Sequence, residues 1–134
     1  MRSMVPAMVT AEEAAALHPS PPVTATKIAR LRLLATHENP KIRESVASNA
    51  NTPGDLFAVL ATDRDAGVRT CVARNEATPN GVLRKLAGDH SDTVRAWVAA
   101  NRVVPTDVRN MLANDRSTSV RQLVAWQAGT APVN

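Results

Sequence analysis

A Val-Arg or Ile-Arg pair occurs four times at a fixed interval, and that interval constrains the fold more than any other feature of the chain. Ile42-Arg43, Val68-Arg69, Val94-Arg95 and Val120-Arg121 stand 26 residues apart, with no insertion or deletion between them. The run Asp65-Ala66-Gly67-Val68-Arg69-Thr70-Cys71-Val72-Ala73-Arg74-Asn75 has counterparts around the other three pairs. Self-similarity at a period of about 20–50 residues marks an array of stacked repeats, each too small to bury its own apolar face. Three complete units fit the chain, 40–65, 66–91 and 92–117, with half a unit before them and half a unit after.

Each unit reads as two short helices. Helix A follows Asn39, Asp65, Ser91 or Ser117, good N-cap residues that stand three positions before the Val or Ile. Its buried stripe runs i, i+3, i+4, as in Val68, Cys71, Val72 and in Val94, Trp97, Val98. Ala47, Ala73, Ala99 and Ala125 recur where neighbouring helices would approach most closely. Asn49, Asn75 and Asn101 close the helix, since Asn tolerates a left-handed end and its amide can bind orphan carbonyls; Gln127 takes that place in the last copy. Helix B is expected at Thr26–Ala35, Thr52–Ala61, Thr78–Ala87 and Val104–Ala113, each ending Leu-Ala. Thr52-Pro53 and Thr78-Pro79 predict an N-cap hydroxyl before a proline at the first helical position. The expected class is therefore all-α, a helical-repeat solenoid of 26-residue two-helix units spanning 26–127. Residues 1–25 fall outside the period. There Thr10-Ala11-Glu12-Glu13 opens a short helix to about Leu17 that Pro19, Pro21 and Pro22 end, giving an N-terminal arm or capping helix. Residues 128–134 read as a flexible tail.

Composition narrows the function classes. Hydrophobic residues make up 44% of the chain but only Phe57, Trp97 and Trp126 are aromatic, so the core must be Val, Leu and Ala, which suits thin helical layers. At 134 residues the chain is one domain that buries roughly two-thirds of its unfolded surface. The single Cys71 excludes an internal disulfide, a Cys-rich zinc site and a cysteine-ligated iron–sulphur cluster. No run approaches the ~20 apolar residues of a membrane span, and Glu12-Glu13 interrupt any signal-peptide core, so the expected compartment is cytoplasmic.

The pattern Val-Arg-x-x-Val-Ala-x-Asn-x-x-Thr-Pro-x-x-Leu/Val-x-x-x-Leu-Ala-x-Asp, covering roughly Thr26 to Gln127, resembles the leucine-rich repeat variant family. The resemblance implies a right-handed superhelix of alternating short helices, one of them often 3₁₀, without the strands of ordinary leucine-rich repeats. It carries over no catalytic residue, and with only Cys71 it carries over no iron–sulphur segment.

Arg43, Arg69, Arg95 and Arg121 form the sharpest candidate column, which could follow a phosphate backbone. Asp63, Asp89 and Asp115 each precede an arginine of this column by six residues, and His37 stands in that place before Arg43. Structural pairs of Asp63 with Arg69, Asp89 with Arg95 and Asp115 with Arg121, stapling the B-to-A turn, explain both columns at once. The charges that do not repeat, Arg74, Arg84, Lys85, Arg102, Arg109 and Arg116, suit either a solvated surface or a basic docking patch. Trp97 lies on the stripe of helix A and is expected in the core. Trp126, whose equivalents are Ser48, Arg74 and Ala100, should be covered by the tail or anchor an interface. His18, His37 and His90 have no spacing that suggests a triad or a metal set, and no Gly-rich phosphate loop exists, so no enzyme, metal or cofactor is expected. The expected function is a non-enzymatic protein–protein interaction module whose partner is another protein, with self-association through the C-terminal half-repeat. The alternative is nucleic-acid binding through the arginine columns. A HEAT-like DNA-repair enzyme, the third reading, would need a catalytic acid beside an aromatic base-holding pocket, which so small an array with three aromatic residues does not favour.

Overall fold

The computed structural model describes residues 24–129, which fold into eight α-helices with no strand among them. In chain order these are α1 (Ala25–Leu34), α2 (Pro40–Ala47), α3 (Gly54–Leu60), α4 (Ala66–Arg74), α5 (Asn80–Leu86), α6 (Asp92–Ala100), α7 (Thr106–Leu112) and α8 (Thr118–Gln127). Helices α2, α4, α6 and α8 stand at the positions of helix A, and α1, α3, α5 and α7 at those of helix B. The helix expected at Thr10–Leu17 and the tail beyond 129 lie outside the described residues. No described helix is long and apolar enough to cross a membrane.

Local chemistry sets the helix starts. The Asn39 side chain accepts from the Lys41 N–H, Asp65 from Gly67 and Val68, and Ser91 from Val94, so the N-caps work as their residue types suggest. Ser117 makes no such bond. A Cβ on Gly67 would lie 2.8 Å from both an Asp65 and a Glu44 carboxylate oxygen, so a larger residue there requires those side chains to shift.

The B helices begin differently from expectation. Pro53, Pro79 and Pro105 are themselves the N-cap residues, without a side-chain cap bond. Proline holds the preceding threonine out of the helical region, which leaves its hydroxyl one position too early to cap. The hydroxyls of Thr52 and Thr78 instead donate backward, to the carbonyls of Val46 at 2.6 Å and Val72 at 2.7 Å. They close the preceding A helix.

Asparagine also acts otherwise than expected. Asn75 and Asn101 are extended, with φ of −76° and −69°, and no described non-glycine residue has positive φ. Asn75 Nδ2 donates to the carbonyls of Ala47 and Asn49 at 2.9 and 3.1 Å, and Asn101 Nδ2 to those of Ala73 and Asn75 at 2.8 and 3.1 Å. Each amide satisfies orphan carbonyls of the preceding A helix rather than its own.

Packing follows from these ends. Helix α2 lies on α4, α4 on α6 and α6 on α8, while α3, α5 and α7 each touch the A helix before and the one after. Ala47, Ala73 and Ala99 are buried where the A helices meet. The core is otherwise Val46, Val68, Val72, Val94, Val98 and Val120 from the A helices, with Phe57, Leu60, Leu83, Leu86, Val108 and Leu112 from the B helices. Each such side chain contributes about 1.5–3 kcal/mol through burial. Seven-residue helices depend on that contact, because alone they are too short to persist.

Candidate interaction surface

The arginine column is held by carboxylates, but not by those six residues upstream. Arg43 Nε and Nη2 donate to the two oxygens of Asp63 at 2.8 and 3.1 Å, Arg69 to Asp89 at 2.8 and 3.3 Å, and Arg95 to Asp115 at 2.9 and 3.2 Å. Each arginine therefore pairs with the aspartate of the next copy, 20 residues on. The expected partners Asp63 for Arg69, Asp89 for Arg95 and Asp115 for Arg121 are corrected in this respect. The upstream residue contributes its backbone instead: Nη1 donates to the carbonyl of Asp63 from Arg69, of Asp89 from Arg95 and of Asp115 from Arg121, at 2.6–2.7 Å. The reason is geometric. Each aspartate carboxylate also accepts from a backbone N–H two residues later, Asp65, Ser91 or Ser117, which turns it away from its own helix and toward the preceding one. His37 Nδ1 accepts from Asn39 N–H in the same way.

Burial and hydrogen bonding oppose each other at these carboxylates. Burial alone would raise the Asp63 carboxyl, but the bonds from Arg43 and the Asp65 N–H, with the Arg43 and Arg64 charges, hold it below its ordinary value. Asp115 is held down likewise against its burial by Arg95, the Ser117 N–H and Arg116. The fork of each arginine is spent inside the fold, so Arg43, Arg69 and Arg95 do not present a phosphate-binding edge.

The cations read from the sequence as non-repeating have different surroundings, and two of them, Arg84 and Arg116, do recur two copies apart, as Arg32 and Arg64. Arg84 is bound to Asp107 at 2.7 Å, an exposed link from α5 to α7 that matches the Arg32–Asp55 link from α1 to α3. Arg74 lies over the Trp97 ring, 4.6 Å from its centroid. Trp97 is 39% exposed and thus on the flank of α6 rather than in the core: Val94 and Val98 take the inner stripe, and Ser45, Cys71 and Leu123, its equivalents, are also incompletely buried. Among the described residues Lys85 and Arg102 are exposed and make no ion pair or side-chain hydrogen bond.

Arg109 is the exception of the set. Its equivalents in the other copies are Leu31, Phe57 and Leu83, all buried, yet Arg109 is half-buried with an Nε that is buried and lacks an acceptor. Trp126 is 76% exposed, on the outer side of α8.

The structure adds a column that the sequence reading did not treat as one. Arg64, His90 and Arg116 occupy the same place one copy apart, directly after the aspartates, and all three are exposed. With Lys85, Arg64 and His90 line an open groove of about 520 Å³ beside the Arg69–Asp89 pair. Aligning the residue after each aspartate would have found them. Among the described residues no three His, Cys, Asp or Glu side chains gather into a metal-binding group. Comparison of the chain with protein-family models, with characterised proteins and with solved structures finds no match.

Proposed function

We propose that the chain is a non-enzymatic interaction module, a right-handed helical-repeat solenoid of 26-residue units of the leucine-rich repeat variant kind, which offers the outer faces of its helices to a partner protein. The observation that carries this reading is Trp126. A tryptophan 76% exposed on α8, where the other copies hold Ser48, Arg74 and Ala100, serves no packing need of the helices described. Large aromatic side chains of this kind anchor interfaces. Support comes also from the polar groups that recur: the arginine, aspartate, threonine and asparagine side chains bind neighbouring helices, as expected of a scaffold. Sedimentation of the wild type against Trp126→Ala, with tryptophan fluorescence read alongside, tests the proposal. A partner-bound or self-associated species that Trp126→Ala weakens supports it; identical behaviour and stability of the two proteins would remove Trp126 from consideration.

A second reading, nucleic-acid binding, draws on a specific observation too. Among the described residues Arg64, Lys85 and His90 make no ion pair and line one groove, with Arg116 exposed at the repeat-equivalent position, whereas the Arg43, Arg69 and Arg95 column is engaged. It predicts binding to an oligonucleotide that weakens steeply with salt and with Arg64→Ala.

A further inference from the structure

Arg121 keeps half of the grip that its three equivalents make. Its Nη1 donates to the Asp115 carbonyl at 2.6 Å, as Arg43, Arg69 and Arg95 do to the carbonyl six residues before each of them. That bond is common to all four arginines. The Nε and Nη2 edge, which in the other three takes an aspartate bidentately, meets no carboxylate among the described residues; Nη2 rests on Thr118 Oγ1 at 3.0 Å and the side chain is exposed. A fork held in place has lost little further freedom to give up on binding.

We infer that this edge of Arg121 is the receptor for a carboxylate on a partner protein, at the start of a helix of the form that docks there in the other copies. The inference rests on the interaction reading above and names the chemistry of its partner. The three occupied sites define that form. In each, the carboxylate belongs to an aspartate two residues before a helix N-cap, and one of its oxygens also accepts the N-cap N–H, from Asp65, Ser91 or Ser117. The alanine column continues at Ala125, so the side-chain size that permits close helix approach at Ala47, Ala73 and Ala99 is kept.

Charge points to the same occupant. Residues 104–129 hold two acids, Asp107 and Asp115, and both are paired, to Arg84 and Arg95. Among the described residues Arg109, Arg116 and Arg121 of the same stretch make no ion pair, and the Arg109 Nε is buried without an acceptor on α7, the helix packed against α8. A second copy of this chain does not fit in the same register. It would bring His37, whose Nδ1 already accepts from Asn39, so that the neutral ring has only an N–H to turn toward Arg121. Two donors would meet.

The test titrates the full chain with a synthetic peptide copying its residues 87–101, which carry Asp89, the Ser91 cap and the helix sequence that follows. The arginine Nε–H signals are followed by NMR. A saturable shift of the Arg121 signal is expected, with binding at least about tenfold weaker for the peptide carrying Asp89→Asn, as loss of a charge-assisted bond implies. The chain carrying Arg121→Lys should lose affinity for the native peptide by a similar factor, because a lysine keeps the charge without the fork. Equal binding of the two peptides, or shifts confined to Arg64 and Arg116, overturns the proposal. So does an Arg121 signal that moves with the chain's own concentration, or with an oligonucleotide and not with the peptide. If the peptides fail while Trp126-dependent association persists, the carboxylate site falls and the interaction module stands. If the native peptide binds selectively while Trp126→Ala changes no association, the Trp126 surface falls instead.

Discussion

Asp89 shows how much one side chain is asked to hold. Its carboxylate takes Nε and Nη2 of Arg69 and the Ser91 N–H, while its carbonyl takes Nη1 of Arg95. The planar fork is what lets Arg69 grip both oxygens, and a lysine could not reproduce it. Asp89→Ala therefore leaves Arg69, not Arg95, short of acceptors, at a cost of about 1–3 kcal/mol for a largely buried pair. In a double-mutant cycle read by urea denaturation, Asp89→Ala with Arg69→Ala should cost clearly less than the sum of the single changes. Asp89→Ala with Arg95→Ala should come closer to additivity, since that contact is to the backbone. The opposite ranking would restore the pairing within one copy.

At the scale of the element, α4 and α6 are each fastened at both ends to the preceding A helix. The N-terminal fastening is the arginine–aspartate pair; the C-terminal one is the asparagine amide across two carbonyls. Asn101 is buried and bonds the Ala73 and Asn75 carbonyls, so Asn101→Ala removes both bonds and strands two acceptors. The expected loss is about 1–3 kcal/mol. Gln127, the equivalent in α8, is exposed and makes no side-chain bond among the described residues, so Gln127→Ala should leave the urea midpoint almost unchanged. Comparable losses from both substitutions would mean that the bridging bonds contribute nothing particular.

For the molecule as a whole, these carboxylates are expected to set the acid limit of stability. Asp63 and Asp115 are held below their ordinary value in the fold, and so are the exposed Asp55 and Asp107 through their hydrogen bonds from Arg32 and Arg84. A lowered folded value means that the unfolded chain binds protons first. The contribution is complete above the unfolded value, about 3.9, and is lost as pH falls through the lower folded values. The urea midpoint should thus drop as pH is taken below about 4, and the drop should be shallower in a chain carrying Asp63→Asn and Asp115→Asn. An unchanged acid profile in that variant would show that other groups control the limit.

What the sequence determined by itself was local or periodic: the absence of strands among the described residues, the alternation of two short helices, the N-caps at Asn39, Asp65 and Ser91, and the valine and leucine stripes that became the core. These depend on neighbours within one turn of helix, and such neighbours are written in the residue spacing. The direction of each longer side chain was decided only by the tertiary structure. In a chain repeating every 26 residues, an aspartate six positions before one arginine is also 20 positions after another, and sequence distance cannot choose between them. The same ambiguity hid the backward bonds of Thr52 and Thr78, the reach of Asn75 into the preceding helix and the exposure of Trp97. Which partner wins depends on how one helix is turned against the next, and that turn is fixed by packing rather than by order along the chain.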